Sequence, residues 1–348
     1  MKKIISILSL TCFFTISAQE VKEKIAEKKY DGYSFIDAIA IYEKVAEKGR
    51  ASADLLQKLG DAYYFNGMLD KSKIWYEKLF ELEQLLVDPE YFFRYSQSLK
   101  AVKSYNKADE MMDRFYALTN DYRGELYVKN KMYLVDINNS LDKYTVQDAG
   151  INSEFADFSG NFNGSKMYFV SNRTPKKGKS KIDKWTNQNF FNIYSAEFDV
   201  AAKAIYVDEI EEEFNSKYHE SSPLFTKDGQ TLYFTRNNFI QGKVGMDEEK
   251  VIKLKLYKTT KVNGKWEKIV ELPFNSDAYN VAHPALSPDE KTLYFASDMP
   301  GGFGNSDLYQ VAIHEDGSYG VPQNLGEKIN TKARETFPFI TPEGTLYF

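Results

Sequence analysis

The chain has 348 residues, 43% hydrophobic and 27% charged, with 25 Tyr, 25 Phe and a formal net charge of −5. That length supports two domains with a sizeable core, and the acidic balance removes general nucleic-acid binding from the candidate functions. The single cysteine, Cys12, sits in the leader, so the remainder has no disulfide, thiolate nucleophile or cysteine metal site.

Residues 1–18 read as a secretory signal peptide. Lys2 and Lys3 form its positive start, Ile4 to Ile16 its apolar stretch, and Ser17-Ala18 the small residues before cleavage. Lipidation of Cys12 fits poorly, because Ser9-Leu10-Thr11 precede it and Phe13-Phe14 follow where polar residues belong. No other apolar run reaches the length of a membrane span.

From 20 to 118 the apolar pattern has a helical period, with Gly32, Gly49 and Gly67 punctuating paired helices. Ala38, Ser72 and Ala108 lie 34 and 36 residues apart, each followed by a larger residue four positions on: Tyr42, Tyr76 and Met112. Upstream in the middle unit stand Leu56, Leu59, Gly60, Tyr63 and Gly67. A small residue in one helix lets its neighbour approach, and large residues fill the groove beside it. This spacing resembles the tetratricopeptide repeat and predicts a helical solenoid with a concave partner surface. The alternative is a plain helical domain.

From 123 to 348 the period becomes strand-like, and four segments align. They begin at Phe158, Pro223, Pro284 and Pro338 and carry Tyr168, Tyr233, Tyr294 and Tyr347, spaced 65, 61 and 53 residues apart. Each joins a strand to a Leu-Tyr-Phe-like strand through turn residues: Asn163-Gly164, Asp228-Gly229, Asp289-Glu290 and Glu343-Gly344. Further strands surround Tyr194, Tyr257 and Tyr309. A repeat of that length holds about four short strands, one blade of a β-propeller. The predicted fold class is therefore a helical solenoid followed by an incomplete β-propeller, which breaks off at Phe348 inside a new blade. Ring closure through strands at Leu126–Val128 and Met132–Ile137 is the alternative to a truncated chain.

The stretch from His283 to Val311 carries Pro284, Asp289, Tyr294, Gly301, Gly302, Gly304, Asp307 and Tyr309 in a pattern that resembles the WD-like repeat of periplasmic propellers. Helical repeats and such a propeller behind a signal peptide resemble the OmpA-type outer-membrane-associated proteins of the Bacteroidetes, some of which serve gliding or type IX secretion. The resemblance implies a periplasmic location at the outer membrane, envelope proteins as partners, and a peptidoglycan-binding domain that has no counterpart in these residues.

Dedicated chemistry is sparse. His219, His283 and His314 form no metal motif, and His219 and His283, both placed before the first strand of a unit, read as structural. Asp298, Asn305 and Asp307 lack calcium-loop spacing, and Asp307 reads as a turn residue. GGFGNSD matches neither a phosphate loop nor a dinucleotide fingerprint, and no G-x-S-x-G occurs. The basic cluster Lys176, Lys177, Lys179 and Lys181 and the acidic run Asp208 to Glu213 read as solvated loops. The sequence thus predicts a non-enzymatic periplasmic scaffold or adaptor without catalytic, cofactor or metal residues. A propeller that binds glycan or peptide at its central opening is the alternative, and the non-catalytic part of a propeller-bearing hydrolase is a third reading. Aromatic and polar side chains converging on the propeller axis would favour the ligand-binding reading.

Overall fold

Short amphipathic helices fill the first part of the chain in a computed structural model that describes residues 21–49, 51–82, 87–141, 145–175, 182–199, 204–210 and 214–348. The signal-like leader with Cys12, the lysine cluster at 176–181 and Glu211 to Glu213 lie outside the described residues. Helix α1 covers 21–31, and α2 (Phe35–Ala46), α3 (Ala53–Phe65), α4 (Leu69–Phe80), α5 (Pro89–Ala101) and α6 (Tyr105–Leu118) follow. Capping side chains start several of them: Ser52 accepts from Leu55 N at 3.2 Å, and Asp88 accepts from Glu90 N beside Pro89. Gly49 and Gly67 take positive φ after α2 and α3.

The repeat register read from sequence is the packing register. Ala38, Ser72 and Ala108 are fully buried. Leu56, Tyr76, Leu79 and Ala108 share one cluster with Phe92, Tyr95 and Leu99 of the next pair, while Leu59 and Tyr63 join Ala38 and Tyr42 in another. Gly60 gives Tyr76 its room, because a Cβ there would clash with the Tyr76 ring, and Ser72 Oγ donates to the Gly60 carbonyl at 3.0 Å. Beside this contact the buried Asp61 accepts from Tyr76 Oη at 2.6 Å and Arg94 at 2.7 Å, and more distantly from Tyr30 and Tyr91. Four donors on one carboxylate tie three successive helix pairs to a single buried charge.

Two further helices, α7 (Tyr122–Lys129) and α8 (Tyr133–Asn138), occupy the segments proposed as closing strands. That expectation is corrected. Asp121 caps α7 by accepting from Arg123 N, and Gly124 allows close approach to Tyr116 of α6, so this stretch continues the helical packing. The helical unit extends to Val146 and includes Asp183–Gln188, whose Trp185 stacks on Tyr33 at 5.5 Å and donates its indole N–H to the Phe65 carbonyl.

The second unit is built of antiparallel sheets in chain order. The first contains β1 (Asp157–Asn163), β2 (Lys166–Ser171), β3 (Asn192–Phe198) and β4 (Ala204–Glu209). Asp208 and Glu209 therefore belong to a strand, a correction to the loop reading. The second contains β5 (Glu220–Phe225) and β6 (Thr231–Asn237), then β9 (Leu254–Val262), with β10 (Lys265–Trp266) and β11 (Val270–Glu271) both on β9. The insert after β6 forms its own hairpin of β7 (Phe239–Ile240) and β8 (Lys243–Val244). The third contains β12 (Val281–Leu286), β13 (Thr292–Ser297), β14 (Asp307–Ala312) and β15 (Gln323–Asn324), and β16 (Phe339–Ile340) pairs with β17 (Leu346–Tyr347). These are propeller-like blades, and apolar residues from the faces of successive sheets make the core. Phe234 and Tyr257 pack with Ile193, and Tyr233 packs with Leu293, Phe295 and Tyr309.

One turn recurs across the blades. Thr226 Oγ1 donates to Asp228 at 2.6 Å while Gly229 takes φ +67°, and Ser287 Oγ donates to Asp289 at 2.6 Å while Glu290 takes φ +58°. Gly344 closes the corresponding turn at φ +87°. Successive turns are also tied together: Asn163 Nδ2 donates to the Thr226 carbonyl, and Lys227 N donates to Glu290. Gly60→Val is expected to lower the stability of the helical unit by about 2 kcal/mol through overpacking against Tyr76. Chemical denaturation followed by far-ultraviolet circular dichroism measures this, and an unchanged midpoint would show that Tyr76 can move aside.

Candidate functional site

The first strand of each of the three larger sheets breaks its own ladder. β1 shifts register between Phe158 and Asn161, β5 between Ser221 and Leu224, and β12 between Ala282 and Ala285. The residue pairs left unmatched are Ser159-Gly160, Ser222-Pro223 and His283-Pro284, and Phe337-Pro338 stands at the same place before β16. At each bulge the first residue has a left-handed backbone: φ is +55° at Ser159, +51° at Ser222 and +57° at His283, and Phe337, ahead of β16, takes +51°. Non-glycine residues pay about 1 kcal/mol or more for this conformation. A residue before proline is also normally held in the extended region. The same cost at the same position of four strands marks a device that re-aims side chains.

The side chains so aimed meet. Ser159, Ser222, His283 and Phe337 line one cavity of about 420 Å³ together with the three prolines, Phe158, Asn161 and Phe339. The lining contains no Asp, Glu, Lys or Arg. His283 stacks on Phe337 with ring centres 3.7 Å apart and planes 17° from parallel, and Phe158 meets Phe337 edge-on at 6.3 Å. The His283 backbone N–H donates to Thr235 Oγ1 at 2.9 Å, which fixes the bulge against the neighbouring sheet. Burial pushes the His283 imidazole down to about 4, so it is neutral at pH 7. Its Nδ1 and the Ser222 hydroxyl are buried polar atoms with no hydrogen-bonding partner in the protein.

Charge stands behind this wall. Glu220 and Arg236 pair at 2.7 Å, both buried, with the guanidinium over Phe234 and Tyr257. Burial pushes the Glu220 carboxyl up to about 7 against the opposing pull of Arg236. In the first sheet Asp157 and Arg173 pair at 2.7 Å, with the guanidinium over Phe169 and Tyr194.

Of the residues singled out in the sequence, Pro223, Pro284 and Pro338 converge here, and the others serve the frame. Asp307 is buried and accepts from Phe303 N, Gly304 N and Asn324 Nδ2. Gly302 leaves room for its carboxylate, and Gly304 lies against the carbonyls of Thr331 and Ala333. Gly301 takes φ +91°, while Tyr233, Tyr294 and Tyr309 lie within their sheets and Tyr347 is exposed. Asp298 accepts from the backbone and side chain of Asn280, away from Asp307's partners. Among the described residues no group of three His, Cys, Asp or Glu is placed to hold a metal ion. The equivalence of His219 and His283 is corrected. His219 precedes β5 and accepts from Phe191 N, whereas His283 lies within β12 and its counterpart is Ser222. The cavity itself was not read from sequence, although the aligned prolines and the residue before each were its signal.

No family model and no curated protein matches the chain. Solved structures with partial likeness include a puromycin-hydrolyzing peptidase from Mycobacterium tuberculosis, with 17% identity and a TM-score of 0.31 over 51% of this chain and 23% of that one. A protein described as TolB from Agrobacterium tumefaciens shows 15% identity and a TM-score of 0.31 over 57% and 58%. An α-L-arabinofuranosidase from Lactobacillus brevis shows 13% and 0.30 over 50% and 53%. The chain thus spans less than three-fifths of these proteins' own length. At such identities the likeness concerns the fold of the blades. These findings correct the resemblance drawn from the sequence: they do not place the chain among OmpA-type, gliding or type IX secretion proteins. The non-enzymatic scaffold role loses its support with that family. The exclusion of an enzyme is withdrawn as well: the partly similar structures include a peptidase and an arabinofuranosidase. Among the described residues no helix is long and apolar enough to cross a membrane.

Proposed function

We propose that this chain is a ligand-binding propeller module whose central cavity holds a segment of peptide or glycan, in the periplasm to which the signal-like residues 1–18 point. One observation carries this reading: the left-handed residue repeated at the start of four blades, whose side chains converge on a single cavity. Apolar and aromatic walls with a few convergent polar groups, within about 300–1,000 Å³, describe ligand pockets generally. Backbone strain of this kind persists where the surrounding structure holds it for a purpose. Asn161 and the other polar groups of the lining stand among prolines and phenylalanines, with no charged side chain beside them.

Screening the purified full chain against peptide and glycan panels should yield a ligand whose affinity falls at least tenfold in Asn161→Trp, which fills the cavity from its partly exposed side. A ligand held equally well by this variant would place binding elsewhere and sink the proposal.

The buried imidazole also predicts a pH effect. The unfolded chain binds the His283 proton below its ordinary value near 6.5, while the folded chain resists it down to about 4. The stability this histidine contributes is therefore complete above pH 6.5 and is lost as the pH falls towards 4. Urea unfolding should show His283→Phe retaining about 2–3 kcal/mol more of its neutral-pH stability at pH 4.5 than wild type does. Equal losses in the two proteins would mean that the ring is protonated in the folded state at little cost.

A further inference from the structure

The helical unit carries a second candidate site, independent of the cavity. Its first three helix pairs turn through the same bend. Tyr33, Gly67 and Lys103 lie 34 and 36 residues apart and take φ of +56°, +70° and +61°. In each bend this residue donates its N–H to the carbonyl three residues back, and the next residue donates to the carbonyl five back, at 2.8–3.0 Å. Such a helix ending normally takes glycine. The first pair holds a tyrosine there, against the backbone cost, and leaves it 56% exposed.

Another ring is seated on it. Trp185, in the Asp183–Gln188 segment of the same unit, stacks on Tyr33 with ring centres 5.5 Å apart and planes 4° from parallel. It meets Phe35 edge-on at 4.8 Å and donates its indole N–H to the Phe65 carbonyl at 3.2 Å. Phe65 ends α3, so this carbonyl is one that the helix leaves without an intrahelical partner. We propose that Tyr33, Phe35 and the Phe65 carbonyl form a socket for a tryptophan-bearing peptide turn, which Asp183–Gln188 occupies as an internal ligand and from which an external turn of the same chemistry displaces it. The segment has the form of a ligand. Asp183 accepts from Thr186 N and Oγ1, its N–H donates to the Gln188 carbonyl, and its own carbonyl accepts from Asn187 N, so bonds inside the segment set its shape. A preformed turn loses little freedom on seating. The socket selects an indole: leucine would forfeit the stack, and leucine and phenylalanine alike would leave the carbonyl without its donor. With Trp185 36% exposed above Tyr33, the edge of the contact is open to a competitor.

The capped hexapeptide of residues 183–188, and the same peptide with leucine in place of tryptophan, test this on the full chain by ligand-observed NMR. Trp185→Ala, which empties the socket, should bind the tryptophan peptide roughly tenfold more tightly than the leucine peptide, the worth of an aromatic stack with one hydrogen bond. Tyr33→Gly added to that variant suits the left-handed backbone and should abolish the difference. Wild type labelled with fluorotryptophan gives a second readout that needs no altered socket. The fluorine signal missing from Trp185→Ala identifies Trp185, and excess tryptophan peptide should move it towards that of a solvent-exposed indole. No binding to Trp185→Ala, equal binding of the two peptides, or a preference that survives Tyr33→Gly overturns the socket. A Trp185 signal that stays in place under excess peptide overturns the displacement and makes the segment a fixed part of the fold. If Trp185→Ala folds poorly, the wild-type signal decides alone.

Discussion

The left-handed residue in the bulge of each innermost strand is the constraint on which the second unit turns. A regular strand would send alternate side chains to the two faces of its sheet, and every residue would be claimed by its ladder. The bulge inserts an unmatched pair, bends the strand and lets one side chain leave the alternation. Proline at the second position of two of the bulges, Pro223 and Pro284, removes an N–H that the interrupted ladder has no use for. In β12 the freed His283 N–H is taken by Thr235 of the preceding sheet. The strained conformation is thus held from outside the strand, by the neighbouring blade and by the paired sheet behind it.

That sheet is stiffened in a way that shows how the repeat tolerates divergence. Arg236 stands opposite its acid, Glu220, whereas Arg173 lies two residues beyond the position opposite Asp157. Both guanidinium groups nevertheless rest over the corresponding Phe and Tyr of their sheets. In the third sheet Val281 and Ser297 occupy the paired positions, and Met299 packs against the adjoining apolar cluster. What is repeated is a filled space over two aromatic rings, next to the strand that carries the bulge. Arginine fills it with an ion pair, methionine with a flexible apolar chain.

Much of the frame was legible because its causes are local. The Thr226-Asp228-Gly229 and Ser287-Asp289 turns state their geometry within a few residues, since hydroxyl, carboxylate and turn backbone satisfy one another. Ala38, Ser72 and Ala108 were legible because helix approach demands small residues at a fixed spacing. The misreading of Leu126–Val128 and Met132–Ile137 has an equally physical origin. Short runs with β-branched residues suit either a strand or one or two turns of helix, and here packing decided: Tyr127 is buried against α6. The site was the least legible part. Ser159, Ser222, His283 and Phe337 differ in chemistry, and only their backbone conformation unites them. The aligned prolines already put His283 three positions away from the place of His219, but the two histidines were read as equivalent because both stand near the start of a unit.

The cavity therefore differs from the rest of the unit in what its residues are for. Several buried polar groups elsewhere are spent on the fold: Asp307 accepts three donors, Asp61 four, and Arg236 is shared between Glu220 and a carbonyl. Among the cavity-lining residues, a neutral imidazole nitrogen and a serine hydroxyl are buried without partners. Tyr257 Oη and Glu220 Oε2, outside the lining, are too, but of these four residues only His283 and Ser222 also carry backbone strain. An unpartnered buried polar atom costs about 1–3 kcal/mol, and relaxing the strain would recover more. A fold selected for stability alone would fill these positions with glycine and small apolar residues. Backbone strain and an uncharged aromatic wall coincide where the first strands of three sheets meet the segment before β16, and a ligand held in that cavity accounts for both.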